Sequence, residues 1–97
     1  MKYEFHPQAL AEFAESAGYY EQCRRGLGAE FSMEIERILE LIVESPERWP
    51  KISPKVRRCR LHRFPYGVLY AEENDSVKII AVMHFKRRPG YWNARVK

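Results

Sequence analysis

The sequence contains little cysteine: only Cys23 and Cys59 occur among its 97 residues. Two thiols this far apart form neither a disulfide framework nor a metal-ligand spacing, and we expect both to be reduced and partly buried. Long apolar runs are also missing: no stretch approaches the ~20 apolar residues of a membrane-spanning helix, and residues 1–5 lack the apolar core of a signal peptide. The sequence therefore argues against a secreted disulfide scaffold and against a membrane protein, and it predicts a cytoplasmic location.

Motifs of common enzyme classes are absent as well. The chain has no nucleophile elbow, no glycine-rich loop that would cradle a phosphate and no cluster of metal-binding side chains. It therefore gives no reason to expect a cofactor or a metal ion. A chain of 97 residues is one domain's worth, residues 1–97, and its function must rest on a shallow face or groove.

Charge is the first positive signal. The formal net charge is +4, with acidic residues concentrated in the first half of the chain and lysines and arginines in the second. This asymmetry predicts an acidic partner for the second half, either nucleic acid or a negatively charged protein segment. The cations of the second half that support this prediction are Arg57, Arg58, Arg60, Arg63, Lys86, Arg87, Arg88 and Arg95.

Hydrophobic periodicity predicts a strand followed by two helices. Residues 2–5 alternate polar and apolar side chains, as a short strand does, and Pro7 is a favourable first residue for a helix. A glycine within residues 25–28 ends the first helix, and a second helix begins at once. The apolar stripe of the first helix is Leu10, Phe13, Ala17 and Tyr20, and that of the second is Phe31, Ile35, Ile38, Leu39 and Ile42.

The second half of the chain predicts a loop and three strands. Three prolines make residues 45–54 irregular, with Trp49 holding this loop to the core. From Val56 apolar and polar side chains alternate, as they do in a strand. We predict a turn at 64–67, a strand at 68–71 and a turn at 73–75. The last predicted strand, at 77–83, is almost wholly apolar, as a strand covered on both faces is. The predicted fold class is α+β with two layers, in which the helical hairpin packs on one face of a mostly antiparallel sheet.

Strand alternation also predicts a cationic surface. If Cys59 packs under the helices, Arg58, Arg60 and His62 lie on the uncovered face of the sheet, near the basic and aromatic segment 84–95. Cations and aromatic rings together are suited to phosphates and bases. Two plainer readings stay open: the strand face is ordinary solvated surface, or Tyr91 and Trp92 fold back over the sheet edge. The candidates for binding a target or nucleic acid are Arg58, Arg60, His62, His84, Lys86, Arg87, Arg88, Tyr91, Trp92 and Arg95.

Four segments resemble the RelE/ParE toxin superfamily, and more closely its ParE-like plasmid-stabilisation branch. They are residues 26–31, residues 45–50, residues 63–66 with Tyr70, and residues 81–84 with the Arg87-Arg88-Pro89 sequence. The resemblance extends over nearly the whole chain in the same order. It implies a toxin of a type II toxin–antitoxin system, held inactive by a cognate antitoxin, and present as a homodimer or as a toxin–antitoxin hetero-oligomer.

The resemblance leaves the cellular target open between two branches. Resemblance to the ParE-like branch implies a poison that binds DNA gyrase and carries out no chemistry of its own. RelE-like members are ribosome-dependent mRNA endonucleases, for which Arg58, Arg60, Arg87 and Tyr91 would be catalytic, with Lys51 and Lys55 as further counterparts. Because Pro89-Gly90 interrupts the tail where the nuclease branch has no such break, the hypothesis of gyrase binding comes first. A non-toxic module that binds a partner or RNA is the third reading.

Overall fold

Helix α1 (Pro7–Cys23) begins and ends where local chemistry requires it. In the computed structural model, which describes residues 2–96, the His6 ring nitrogen caps the helix by accepting a hydrogen bond from the Gln8 amide at 3.1 Å. After α1 the chain turns through Gly26, whose φ of 87° lies in the left-handed region that glycine adopts without strain. Helix α2 (Leu27–Glu44) follows, and the Glu21 carboxylate accepts hydrogen bonds from two amides at its start.

Four strands form one sheet in the order β1-β4-β3-β2. These strands are β1 (Lys2–Phe5), β2 (Arg57–Arg60), β3 (Tyr66–Glu73) and β4 (Ser76–His84). Strand β1 runs parallel to β4, whereas β2, β3 and β4 are antiparallel neighbours. A short 3-10 helix, η1 (Asn93–Arg95), follows the sheet. Strands β2 and β1 are therefore the two edges of the sheet, and β1 covers only the first half of β4.

Both helices pack on one face of the sheet and form the helix-side core. The buried members of this core are Ala9, Phe31, Ile35, Ile38, Leu39, Ile42, Cys59, Leu61, Phe64, Tyr66, Val68, Tyr70, Val77, Ile79 and Val82. The predicted α+β class, the helix positions and the α2 stripe are confirmed. In α1, however, Leu10 is 53% exposed and Ala9 is buried in its place, because the inward stripe runs through Ala9, Phe13, Ala17 and Tyr20.

The opposite face of the sheet is not open, which corrects the expected uncovered face. A second cluster, the tail-side core, lies there and consists of Val56, Leu69, Ala71, Ile80, Ala81, Met83 and Trp92, with Ile52, Phe85, Tyr91 and Val96 packed against it. Strand β4 is apolar on both faces, as its sequence predicted, and therefore needs cover on both. Residues 91–96 supply part of that cover.

One strand boundary and one register differ from expectation. Tyr66 and Gly67 belong to β3 and not to a turn, because Tyr66 pairs with His84 and Gly67 with Met83. A register irregularity at Leu69/Tyr70 places Ile80 and Ala81 consecutively in the tail-side core, a bulge that strict alternation does not predict. The turn at Asn74 and Asp75 is confirmed by their positive φ values of 45° and 64°.

The expectation of two partly buried thiols is half right. Cys59 is buried, and burial raises the pKa of its thiol to about 11, whereas Cys23 is exposed. Among residues 2–96, no three histidine, cysteine, aspartate or glutamate side chains are grouped so as to hold a metal ion. No helix in the same range has the length and apolar character needed to cross a membrane.

Candidate functional site

Arg58 and Arg60 project from edge strand β2 on the face away from the helices. They alternate with Cys59, which belongs to the helix-side core, and the two guanidinium carbons lie 5.9 Å and 4.5 Å from the ring centroid of Phe85. Phe85 directly follows β4 and precedes an exposed turn with Lys86 and Arg88. We call the surface formed by Arg58, Arg60, Phe85, Lys86 and Arg88 the arginine face.

Gly67 provides the floor of the arginine face. A β-carbon added at Gly67 would lie 3.2 Å from the Arg58 Cγ and 3.2 Å from the Phe85 ring. The missing side chain lets these two residues cross directly over the backbone of β3. A larger residue at this position would make Arg58 and Phe85 shift by a few tenths of an ångström, so glycine serves close packing here, and its φ is not in the left-handed region.

The charges of the arginine face are not neutralised by carboxylates, unlike those of five other arginines. Elsewhere arginines pair with carboxylates: Arg24 and Arg63 contact Glu30, Arg57 contacts Glu72, and Arg87 and Arg95 contact Glu12. Within residues 2–96, the four cations of the arginine face form no ion pair, and the Arg58 Nε atom is buried without a hydrogen-bond partner. The positive charge of this surface is therefore available to an external anion.

A groove of about 360 Å³ separates α2 from the β2 edge. Its lining combines an apolar floor with a basic rim and contains Arg37, Ile38, Leu41, Arg48, Trp49, Pro50, Arg58, Cys59, Arg60 and His62. The expected contact of Trp49 with the core is confirmed, since its ring packs against the helix-side core. The groove suits a chain segment that presents both apolar and acidic side chains.

The segment from Tyr91 to Arg95 is fixed by Glu12 of α1. Arg95 makes a two-pronged ion pair with this carboxylate at 3.0 Å and 2.9 Å, and the Tyr91 hydroxyl donates to it at 2.8 Å. The same carboxylate accepts from the Val82 amide at 3.0 Å, and Arg95 donates to the Ile80 carbonyl. Glu12 and Arg95 therefore satisfy the part of the β4 edge that β1 leaves uncovered.

Tyr91 and Trp92 are structural in this arrangement. Trp92 is only 7% exposed, and the Arg87 guanidinium covers the Tyr91 ring with its carbon 3.9 Å from the centroid. Burial, together with the hydrogen bond to Glu12, raises the pKa of the Tyr91 hydroxyl. The sequence left open whether these rings are exposed for binding or fold back onto the sheet, and in the structure they fold back.

The two histidines lie away from the arginine face. His84 pairs with Tyr66 in the register, and its ring lies 5.0 Å from the Tyr66 ring, on the side of the helices. The His62 amide donates to Glu34 of α2 at 2.6 Å, which draws this residue toward the α2–β2 groove. The ten candidate residues are thus divided among the arginine face, the groove, the Glu12 network, the helix side and, for Trp92, the tail-side core.

Lys51 and Lys55 occupy a different surface from the arginine face. Together with Arg57 they line a cleft of about 390 Å³ beside the ends of β2 and β3. Arg57 itself is turned toward the loop, where it donates to the Trp49 carbonyl at 2.7 Å.

Sequence reasoning did not single out Glu12, Gly67 or Phe85. Glu12 is one of several acidic residues on α1, and only its contacts with residues some 70 to 83 positions later distinguish it. Phe85 was visible only as part of a basic aromatic segment. The pairing of Gly67 with both Arg60 and Met83 would have placed it under the site, had the strand boundary been known.

Comparison with known proteins identifies the family. The model of the family described as ParE toxin of type II toxin-antitoxin system, parDE, matches residues 3–89. The chain belongs to the ParE toxin family. No curated protein matches the sequence. Among solved structures, a chain of a chromosomal ParDE toxin–antitoxin system from P. aeruginosa has the same fold as this ParE family member, with a TM-score of 0.74 and 16% identity over 87% of this chain and 95% of that one.

Proposed function

We propose that this member of the ParE family is a toxin that inhibits DNA gyrase by binding it, acts in the cytoplasm and is neutralised by a cognate antitoxin. Its target contacts are the exposed residues of the arginine face. Family membership supports the toxin role. The choice of binding over RNA cleavage is supported by how the candidate catalytic residues are arranged.

The four residues that would form a nuclease site do not act as one group. Cleavage without a metal needs a proton donor, a base and cations around one phosphate. The Tyr91 hydroxyl donates a hydrogen bond to Glu12, and its raised pKa makes it a poorer acid. Arg58 and Arg60 contact Phe85 over β3, whereas Arg87 and Tyr91 are held by Glu12 at the β4 edge on the other side. This separation carries the proposal.

The antitoxin is expected to occupy the α2–β2 groove. Apolar side chains of an antitoxin segment would lie against Leu41 and Trp49, and its carboxylates would pair with the arginines of the rim. Because Arg58 and Arg60 line both this groove and the arginine face, an antitoxin bound here would also cover the residues that contact the target. Neutralisation would then be direct steric exclusion.

The test is a gyrase assay with purified protein. We expect inhibition of supercoiling and the appearance of gyrase-linked DNA breaks, both relieved when the product of the adjacent reading frame is added. The doubly substituted Arg58→Glu/Arg60→Glu protein should lose inhibition, whereas Lys2→Glu/Arg25→Glu, which places the same charge change on the far sheet edge and in the helical turn, should keep it.

If the protein leaves gyrase unaffected while translating ribosomes show new mRNA 3′ ends, the target is the message. Normal growth during expression without the neighbouring gene would favour the non-toxic module.

A further inference from the structure

The arginine face holds four cations whose charge nothing in residues 2–96 compensates by an ion pair: Arg58, Arg60, Lys86 and Arg88. They come from two places: Arg58 and Arg60 stand on the β2 edge and contact Phe85, and Lys86 and Arg88 lie in the exposed turn that follows Phe85. A guanidinium presents a planar fork of donors that matches a phosphate group. Charge of one sign spread over a surface, instead of a single cation in a pocket, is suited to a polyanion.

The aromatic rings beside these cations are already occupied. The Arg60 guanidinium covers Phe85 at 4.5 Å, and the Arg87 guanidinium covers Tyr91 at 3.9 Å. Trp92 is buried in the tail-side core. Stacked recognition of nucleic-acid bases needs a free ring face, so this surface is suited to the sugar–phosphate backbone and not to unstacked bases.

The arginine face is also poorly suited to a peptide. Binding of a protein segment is usually anchored by an apolar side chain in a pocket. Here the space above Gly67 is filled, since an added β-carbon would approach both Arg58 and Phe85 to 3.2 Å. The apolar floor lined by Ile38 and Leu41 belongs to the α2–β2 groove, beside the helix.

We infer that the arginine face binds the phosphate backbone of duplex DNA, and that in the inhibited complex this duplex is the segment held by gyrase. The inference rests on the proposed function only for the source of the DNA, because binding of a free duplex depends on the face alone. Recognition of the backbone implies no preference for base sequence and a strong dependence on salt. It also implies tighter binding to gyrase with DNA than to gyrase alone.

The experiment measures binding of a fluorescent 20-base-pair duplex by anisotropy across a salt series that starts at ~50 mM. The Arg58→Ala/Arg60→Ala protein should bind about tenfold more weakly, and the slope of log affinity against log salt should fall by about two, one for each lost phosphate contact. Arg58→Lys/Arg60→Lys keeps the charge and should keep the slope. Lys2→Ala/Arg25→Ala, the matched control, should bind like the wild type. Thermal melting establishes that each variant is folded.

Three outcomes would overturn the inference: no duplex binding by the wild type at low salt, equal losses in the site and control variants, or a polyglutamate peptide that binds this face and is not displaced by duplex. Gyrase inhibition is measured in parallel. Inhibition that survives Arg58→Ala/Arg60→Ala without duplex binding rejects the inference and the assignment of the target contacts to this face, but leaves gyrase as the target. Duplex binding through this face without gyrase inhibition rejects the proposed function and leaves DNA binding by the arginine face standing.

Discussion

Glu12 shows how one residue can decide the position of a whole segment. Its side chain is 13% exposed, and that of Arg95 is 9% exposed, so their ion pair is largely shielded from water. Shielded charges are costly unless each finds partners, and here the carboxylate has Arg95, Tyr91 and a backbone amide. The pair is therefore best understood as fixing the geometry of the tail, and removing one partner leaves the other charge buried.

Replacing Glu12 should destabilise the fold. We expect Glu12→Ala to lower the free energy of unfolding by about 3–5 kcal/mol, because Arg95 would remain buried without its counter-ion. The matched control is Glu15→Ala, on the same helix but exposed, which should change stability by less than ~0.5 kcal/mol. Urea denaturation followed by circular dichroism measures both. Equal midpoints would show that the Glu12 network contributes nothing.

Among the elements, the segment after β4 differs most from its expected role, because a basic aromatic tail suggests an exposed binding segment. Trp92 packs with Leu69, Ile80 and Met83 in the tail-side core, so residues 91–96 function as a cover for the sheet. The cover is needed because the bulge in β4 turns both Ile80 and Ala81 to that face. A segment that looks like an exposed binding tail is thus part of the folding unit.

Truncating Trp92 should therefore behave as a core substitution. We expect Trp92→Ala to reduce stability by about 3–5 kcal/mol through lost burial and the cavity that remains. Arg88→Ala, four residues earlier and exposed, should change stability by less than ~0.5 kcal/mol. The readout is the thermal midpoint by far-ultraviolet circular dichroism, which follows the backbone structure of both variants. A Trp92→Ala midpoint like that of the wild type would mean that the cover is dispensable.

Periodicity explains which elements could be predicted. The α2 stripe from Phe31 to Ile42 has the helical period and packs as expected, and Cys59 alternates with the arginines of β2 as a strand requires. The apolar residues of 84–95 follow neither the helix nor the strand period. Their conformation depends on contacts with Glu12 of the distant helix α1, which residue spacing cannot reveal. For the same reason the sequence indicated a cationic surface but not which of its cations are neutralised.

At the scale of the whole molecule, one sheet is covered on both faces by unequal layers. The helices supply a large layer, whereas the loop around Ile52 and the last residues supply a small one. Arg58 and Arg60 lie at the margin of the small layer, where the cover ends and the charge becomes accessible. The arginine face is thus what remains of the sheet surface that the tail does not cover.

Burial of ionisable side chains in both layers predicts sensitivity to alkali. Burial raises the pKa of the Tyr70 hydroxyl from 10.0 to about 12, so the folded state retains a proton that the unfolded state loses. The contribution of Tyr70 to the free energy of unfolding is fully present below pH 10.0. It is lost as the pH rises toward about 12, with a slope of ~1.4 kcal/mol per pH unit for this one group. Tyr70→Phe should flatten that slope, whereas Tyr3→Phe, at an exposed position, should not. Denaturant titrations at several alkaline pH values test this, and identical slopes for the two variants would contradict it.

The Glu12 network has a consequence for how the protein is made. Glu12 is joined to Val82 across 70 residues and to Arg95 across 83, so the contacts that complete the β4 edge connect an early helix to a very late segment. Until residues 91–95 have been synthesised and have docked on α1, these contacts cannot form and the second half of the β4 edge has no partner. A chain whose tail has not docked therefore presents an open strand to its surroundings.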